Sequence, residues 1–162
     1  MRFSKLFKRP DERKPDVVYC LGDLVGYNIW PNQVIPEITR PRIVTLTGNH
    51  DVKVKKPMRN AIWQELCLIT DDNKEYLKAL RAYIRLEYMF ADEALNILLV
   101  HRSPRSNDEY VLEDTDEHYI RGLLFEARTD IILCVHSHKA YHRICSSITG
   151  FAHIINRLSW QT

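Results

Sequence analysis

The four residues of this 162-residue chain that concentrate the most chemistry are Gly48-Asn49-His50-Asp51, a glycine followed by an amide, an imidazole and a carboxylate. They come just after Ile43, Val44 and Leu46, so a tight turn at the end of an apolar strand can gather them. Three other strand-like runs end in related groups. Val17–Leu21 runs into Gly22-Asp23, Leu95–Val100 into His101, and Ile131–Val135 into His136-Ser137-His138. A carboxylate (Asp23), an amide oxygen (Asn49) and imidazoles (His101, His136, His138) make a mixed nitrogen and oxygen donor set. Such a set suits Mn²⁺, Fe or Zn²⁺ better than Mg²⁺ or Ca²⁺. A pair of these ions can activate water at neutral pH and stabilise both the attacking and the leaving oxygen of an in-line displacement at phosphorus. Asp51 could orient the ring of His50, which would then contact a phosphoryl oxygen or protonate the leaving group. His50 and Asp51 are therefore the catalytic candidates. Each residue also has a plainer explanation, since an Asn or Asp at a strand end caps a turn more often than it binds metal. His118 and His142 read as surface residues or supports behind the ligands, and His153 as packed. Four polar clusters at four strand ends are harder to explain as caps.

The elements that must carry these groups alternate. A buried strand over Val17–Leu21 precedes a short or bent helix opened by Pro31-Asn32 and interrupted by Pro36. Arg42–Leu46 is the second strand, and Lys53–Lys56 with Pro57 reads as loop. Helices are expected over about Arg59–Leu68 and over Asn73–Arg81, the second capped by Thr70-Asp71-Asp72. Ile84–Tyr88 alternates as a half-exposed strand, Leu95–Val100 is a buried one, and Pro104–Asp108 is loop. His118–Ala127 shows a helical apolar face, Ile131–Val135 is buried strand, and Tyr141–Cys145 and Phe151–Ile155 read as an antiparallel pair. This order predicts an α/β fold, with helices on both faces of a mostly buried sheet and polar residues at the carboxyl ends of its strands.

Composition narrows the class. Lys and Arg number 23 against 21 Asp and Glu, a net charge of +2 that implies no nucleic acid partner. Hydrophobic content of 45% suits a globular domain. Cys20, Cys67, Cys134 and Cys145 lack metal-ligand spacing and read as buried free thiols of a reducing, cytoplasmic compartment. No run approaches the ~18 apolar residues of a membrane span. The basic opening, Met1–Lys14, reads as a solvated helix with one packed face.

Taken together, Gly22-Asp23-Leu24-Val25-Gly26-Tyr27 with Pro31-Asn32, Gly48-Asn49-His50-Asp51, His101-Arg102-Ser103-Pro104-Arg105 and His136-Ser137-His138 resemble successive motifs of the calcineurin-like metallophosphoesterases. The small bacterial and archaeal phosphodiesterase-like branch is the nearest in pattern, and the resemblance runs from about Asp16 to Ile155. It implies one partial domain over 1–162, a layered β-sandwich flanked by helices. It also implies metal-dependent hydrolysis of phosphomonoesters or phosphodiesters. By resemblance Asp23 bridges two ions, Asn49, His101 and His136 complete one site, His138 belongs to the other, and His50 assists at the phosphate. Mn²⁺ is the expected metal, with Fe, Zn²⁺ or Ni²⁺ as substitutes, and a small phosphorylated compound is the expected substrate.

The departures from the family pattern carry expectations too. The family's first strand ends in Asp-x-His, and Met1–Lys14 holds no such motif, so a fold lacking its first strand is predicted. With it would go two ligands, leaving one ion rather than two, and an open sheet edge that a homodimer could cover. Val135 and Arg102 stand where the family has glycines. Asn156–Thr162 replaces a Gly-Ser-Val-Gly-like turn, and codons permitted for it regain that turn one nucleotide later, as in a shifted reading frame. The competing expectation is a catalytically impaired scaffold or remnant of the same fold, holding one metal or none.

Overall fold

The computed structural model describes residues 14–26, 30–39, 43–55, 68–147 and 150–156. They belong to two compact units, residues 1–81 and 82–161. The basic opening up to residue 13, the helix expected before Leu68, Cys67 and the tail beyond Asn156 lie outside the described residues.

In the first unit the β-branched runs become β1 (Val18–Cys20) and β2 (Ile43–Thr45), paired in parallel with Val18 opposite Ile43. Between them runs α1 (Pro31–Ile38), which places Pro31, Val34, Ile35 and Ile38 on one buried face at helical spacing. Pro36 points outward and costs one intrahelical hydrogen bond, which an eight-residue helix tolerates because Thr39 closes it. The Thr39 N–H donates to the Ile35 carbonyl and its hydroxyl to the Pro36 carbonyl. Where Lys53–Lys56 read as loop, Asp51–Lys55 forms a 3₁₀ turn. The next helix, α2 (Asp71–Ala79), starts two residues earlier than its pattern suggests. Thr70 makes no side-chain cap. Asn32 on α1 holds this start instead, taking the Thr70 N–H and the Asn73 amide on Oδ1 while donating to the Leu68 carbonyl. Leu24, Val25, Val34, Ile35, Ile38, Ile69 and Leu77 form the core of this unit.

The second unit is one mixed sheet. Its strands are β3 (Tyr83–Phe90), β4 (Glu93–Val100), β5 (Ile131–Cys134), β6 (Tyr141–Ser147) and β7 (Gly150–Asn156), in spatial order β3-β4-β5-β7-β6. The β3–β4 and β6–β7 pairs are antiparallel hairpins, and β4–β5 and β5–β7 are parallel. Parallel neighbours need a crossover, and α3 (Glu117–Ala127) supplies it between β4 and β5. Asp116 caps α3 by accepting the Tyr119 N–H, and Arg128 ends it in a left-handed conformation. Ile120, Leu123 and Leu124 pack from α3 onto Leu98, Val100, Ile132, Cys134, Cys145 and Ile154. The predicted α/β class holds in both units, and α3 is the one helix among the described residues of the second. His153, expected to be packed, is half-buried and stacks on the exposed His142 with ring centroids 5.3 Å apart.

Cys134 and Cys145 are buried free thiols, as expected, and burial pushes Cys134 up to about 11. A thiol reagent at pH 8 should therefore leave both unmodified in native protein and label both in denaturant. Peptide mapping after a timed reaction reads this out, and prompt native labelling of either would contradict the packing. Among the described residues no helix is long and apolar enough to cross a membrane.

Candidate metal centre

In the first unit, β1 hands the chain to Gly22 and Asp23, with φ of 88° and 58°. Glycine adopts this region freely and Asp is among the few other residues that tolerate it. The turn after β2 comes so close that a Cβ on Gly22 would overlap the Gly48 backbone, and one on Gly48 would overlap the Asp23 carboxylate. Glycines at both positions let the Asp23 turn and the Asn49-His50 turn lie against each other. Asp23 Oδ1 then accepts the His50 main-chain N–H at 3.0 Å. Asn49 and the His50 side chain are half-buried in the same turn.

Asp51 joins the two turns. Its Oδ2 accepts the N–H groups of Asp23 and Gly48, both at 2.8 Å, and its Oδ1 those of Leu24 at 2.9 Å and Val25 at 3.3 Å. The side chain is fully buried. Where the tetrapeptide suggested that Asp51 orients the ring of His50, the structure shows both oxygens occupied by main-chain amides. The turn through the left-handed Gly22 and Asp23 exposes a row of N–H groups that need a buried acceptor, and Asp51 supplies it from 26–28 residues away. Burial pushes the Asp51 carboxyl up to about 6, with the Gly48 amide pulling it down and the Asp23 charge adding to the rise.

The ring of His50 has a different neighbour, Lys53, whose Nζ is 3.4 Å from Nδ1. An ammonium only donates, so Nδ1 accepts from Lys53 in the tautomer that carries its proton on Nε2. The ring also lies over Gly26, at φ 100°, where a Cβ would overlap it. Gly26→Ala should lower stability by about 2 kcal/mol through backbone strain and displacement of His50. A urea titration checks it, and an unchanged midpoint would show that the ring has room to move.

In the second unit, β4 ends at Val100 and delivers His101, which is 2% exposed. The Val135 N–H donates to the His101 carbonyl at 3.0 Å, extending the β4–β5 register beyond the strands. His136 follows with φ 64°, half-buried, and His138 with φ 56°, exposed. The alternation that would put these two on one face ends at Cys134, because both residues sit in left-handed conformations past β5. His101 Nε2 and His136 Nδ1 are 3.2 Å apart, with ring planes at 61°. Two imidazoles at 2.0–2.1 Å from one ion stand about 3 Å apart, so this pair fits a borderline divalent cation by separation and donor type.

Neighbours of this pair escaped the sequence reading. Tyr110 meets His136 edge to face at 4.9 Å, and Arg102 lies over the Tyr110 ring at 4.5 Å. Nothing in the local pattern marks Tyr110, because the contact depends on how the long segment after β4 folds back.

Side chains of donor type follow four strands, Asp23 after β1 and Asn49 after β2 in the first unit, His101 after β4 and His136 after β5 in the second. Residues 2–140 match the family model for calcineurin-like phosphoesterases, and the chain belongs to that family. Two solved structures share its fold. A hypothetical protein from Pyrococcus horikoshii OT3 is 17% identical, with a TM-score of 0.68 over 94% of this chain and 68% of the other. A metallophosphoesterase from Sphaerobacter thermophilus is 20% identical, with a TM-score of 0.64 over 91% of this chain and 67% of the other. No curated protein matches.

Proposed function

We propose that this chain is a metal-dependent phosphoesterase that hydrolyses small phosphomonoesters or phosphodiesters. Family membership supports the reaction class, and the observation that carries the metal is the 3.2 Å approach of the His101 and His136 ring nitrogens. The donors proposed from the family pattern are Asp23 and Asn49 in the first unit and His101 and His136 in the second. Mn²⁺ is the best match to these donors, and Fe, Zn²⁺ or Ni²⁺ fit the same chemistry. A cation held by them would acidify water and offset charge on phosphoryl oxygens.

The chain's own residues supply the rest. The His50 amide holds the Asp23 carboxylate in place, and Asp51 keeps the two turns together. The His50 ring is the group that contacts a phosphoryl oxygen or protonates the leaving oxygen. His138 is the remaining donor for a second ion. Its exposure beyond β5 favours the second reading, a scaffold or impaired remnant of the same fold. Single-domain behaviour and a cytoplasmic location accompany the enzyme reading. So does a homodimer, in which a second copy covers the edges of β1 and β2 that pair only with each other among the described strands. A strictly monomeric solution mass would count against the dimer.

The test is metal content after Mn²⁺ loading and dialysis, together with turnover of bis(p-nitrophenyl) phosphate and p-nitrophenyl phosphate. The enzyme reading expects at least one bound ion per chain and Mn²⁺-dependent release of nitrophenolate. A chain that binds no ion and turns over neither ester is the scaffold.

A further inference from the structure

Beside His136 the second unit has a shallow, open depression, with no enclosed space in it, lined by Arg102, Tyr110, Val111, Val135, His136 and Ser137. Its polar groups have unequal needs. Ser137 is already used, its hydroxyl donating to the Lys139 carbonyl and accepting the Lys139 N–H. The Tyr141 hydroxyl donates to the Val111 carbonyl, which fixes one side of the depression. Arg102 is different. Its Nε is buried with no hydrogen-bond partner, and among the described residues Arg102 forms no ion pair. Arg102 as a whole is half-buried, and a guanidinium carries five N–H donors and no acceptor, so its outer N–H groups are the ones placed to meet an anion.

The rest of the segment holds Arg102 where an anion could meet it. The guanidinium lies over the Tyr110 ring, whose edge contacts His136. That stack fixes the cation one ring away from a proposed metal ligand. The segment is itself tied down: Arg105 bridges to Glu126 and Tyr119 of α3, and Glu109 accepts from both Ser103 and Tyr119. Arg102 is thus a half-buried cation on a segment anchored to α3.

We propose that Arg102, backed by Tyr110, is an anion-recognition residue that takes a phosphoryl oxygen and gives the site a preference for dianionic phosphomonoesters over monoanionic diesters. This rests on the phosphoesterase reading. The physical reason is charge: a fixed planar cation matches two oxygens of a phosphate group, and a monoester offers the extra charge and the extra unsubstituted oxygen.

The experiment measures binding of inorganic phosphate by calorimetry, with and without Mn²⁺, to the wild-type chain and to Arg102→Gln, Arg102→Lys and Tyr110→Ala. Phosphate affinity should fall about tenfold or more in Arg102→Gln and less in Arg102→Lys, with Mn²⁺ stoichiometry unchanged. Tyr110→Ala, an exposed position, should weaken phosphate binding without unfolding the chain. In turnover, Arg102→Gln should raise KM for p-nitrophenyl phosphate more than for the diester. Equal phosphate affinity in Arg102→Gln and wild type, or no phosphate binding by the wild type in either condition, overturns the proposal. If the wild type binds no Mn²⁺ yet loses phosphate with Arg102→Gln, the anion site stands and the metallohydrolase reading falls.

Discussion

Asp51→Ala should destabilise the first unit by about 3–5 kcal/mol, enough to unfold a domain of ordinary stability. The carboxylate is fully buried and accepts main-chain N–H groups from Asp23, Leu24, Val25 and Gly48. Alanine leaves all of them without an acceptor in a place water does not reach. Asp51→Asn keeps the shape but turns one acceptor into a donor facing other donors, so it should also be costly. Urea unfolding followed by circular dichroism reads both, and a loss under about 1 kcal/mol for alanine would show that water replaces the carboxylate.

The same group has a signature in pH. Its folded pKa, about 6, lies above the ordinary value of 3.8. A carboxyl raised in this way favours the folded state while protonated. That contribution is complete below about pH 4 and lost as pH rises through about 6, a total of about 3 kcal/mol at 1.36 kcal/mol per unit. In chelator-treated protein, the stability of wild type relative to Asp51→Asn should therefore shrink between pH 4 and 7. A difference that stays level or widens would contradict the burial argument.

Asp23→Asn should abolish measurable Mn²⁺-dependent turnover, a loss of at least about a thousandfold, or ~4 kcal/mol of transition-state stabilisation. The substitution is chosen because it leaves the structure nearly alone. Asparagine tolerates the left-handed backbone at φ 58° and can still accept the His50 N–H. It removes only the negative charge, the part a divalent cation needs most. Asp23→Ala should lose the activity as well, with an added stability cost from the orphaned His50 amide. Metal content by mass spectrometry and unfolding in urea separate the two effects. Asp23→Asn with native stability, full metal and full turnover would remove Asp23 from the site.

How much was legible beforehand differs from group to group. Apolar runs announced β1, β2, β4 and β5, but β1 and β2, expected to be buried, are only partly so, with Val17 and Val44 exposed. The helical spacing of Ile120, Leu123, Leu124 and Ala127 announced α3 in the same way. Residue type and position likewise revealed Asp23, Asn49, His101 and His136 as candidate donors, since donor chemistry belongs to the side chain itself. The work of Asp51 was not legible. Its partners are main-chain amides 26–28 residues away as well as the nearby Gly48, and no spacing rule connects one turn with another. The start of α2 went to Asn32, some 40 residues upstream, rather than to Thr70, for the same reason. Tyr110 against His136 and Arg102 over Tyr110 depend on the path of a segment fastened by Arg105 to α3. Covalent order specifies which groups a chain can bring to a reaction. Only the closure of distant turns and segments, driven by burying their amides and rings, decides which groups react and which hold the others in place.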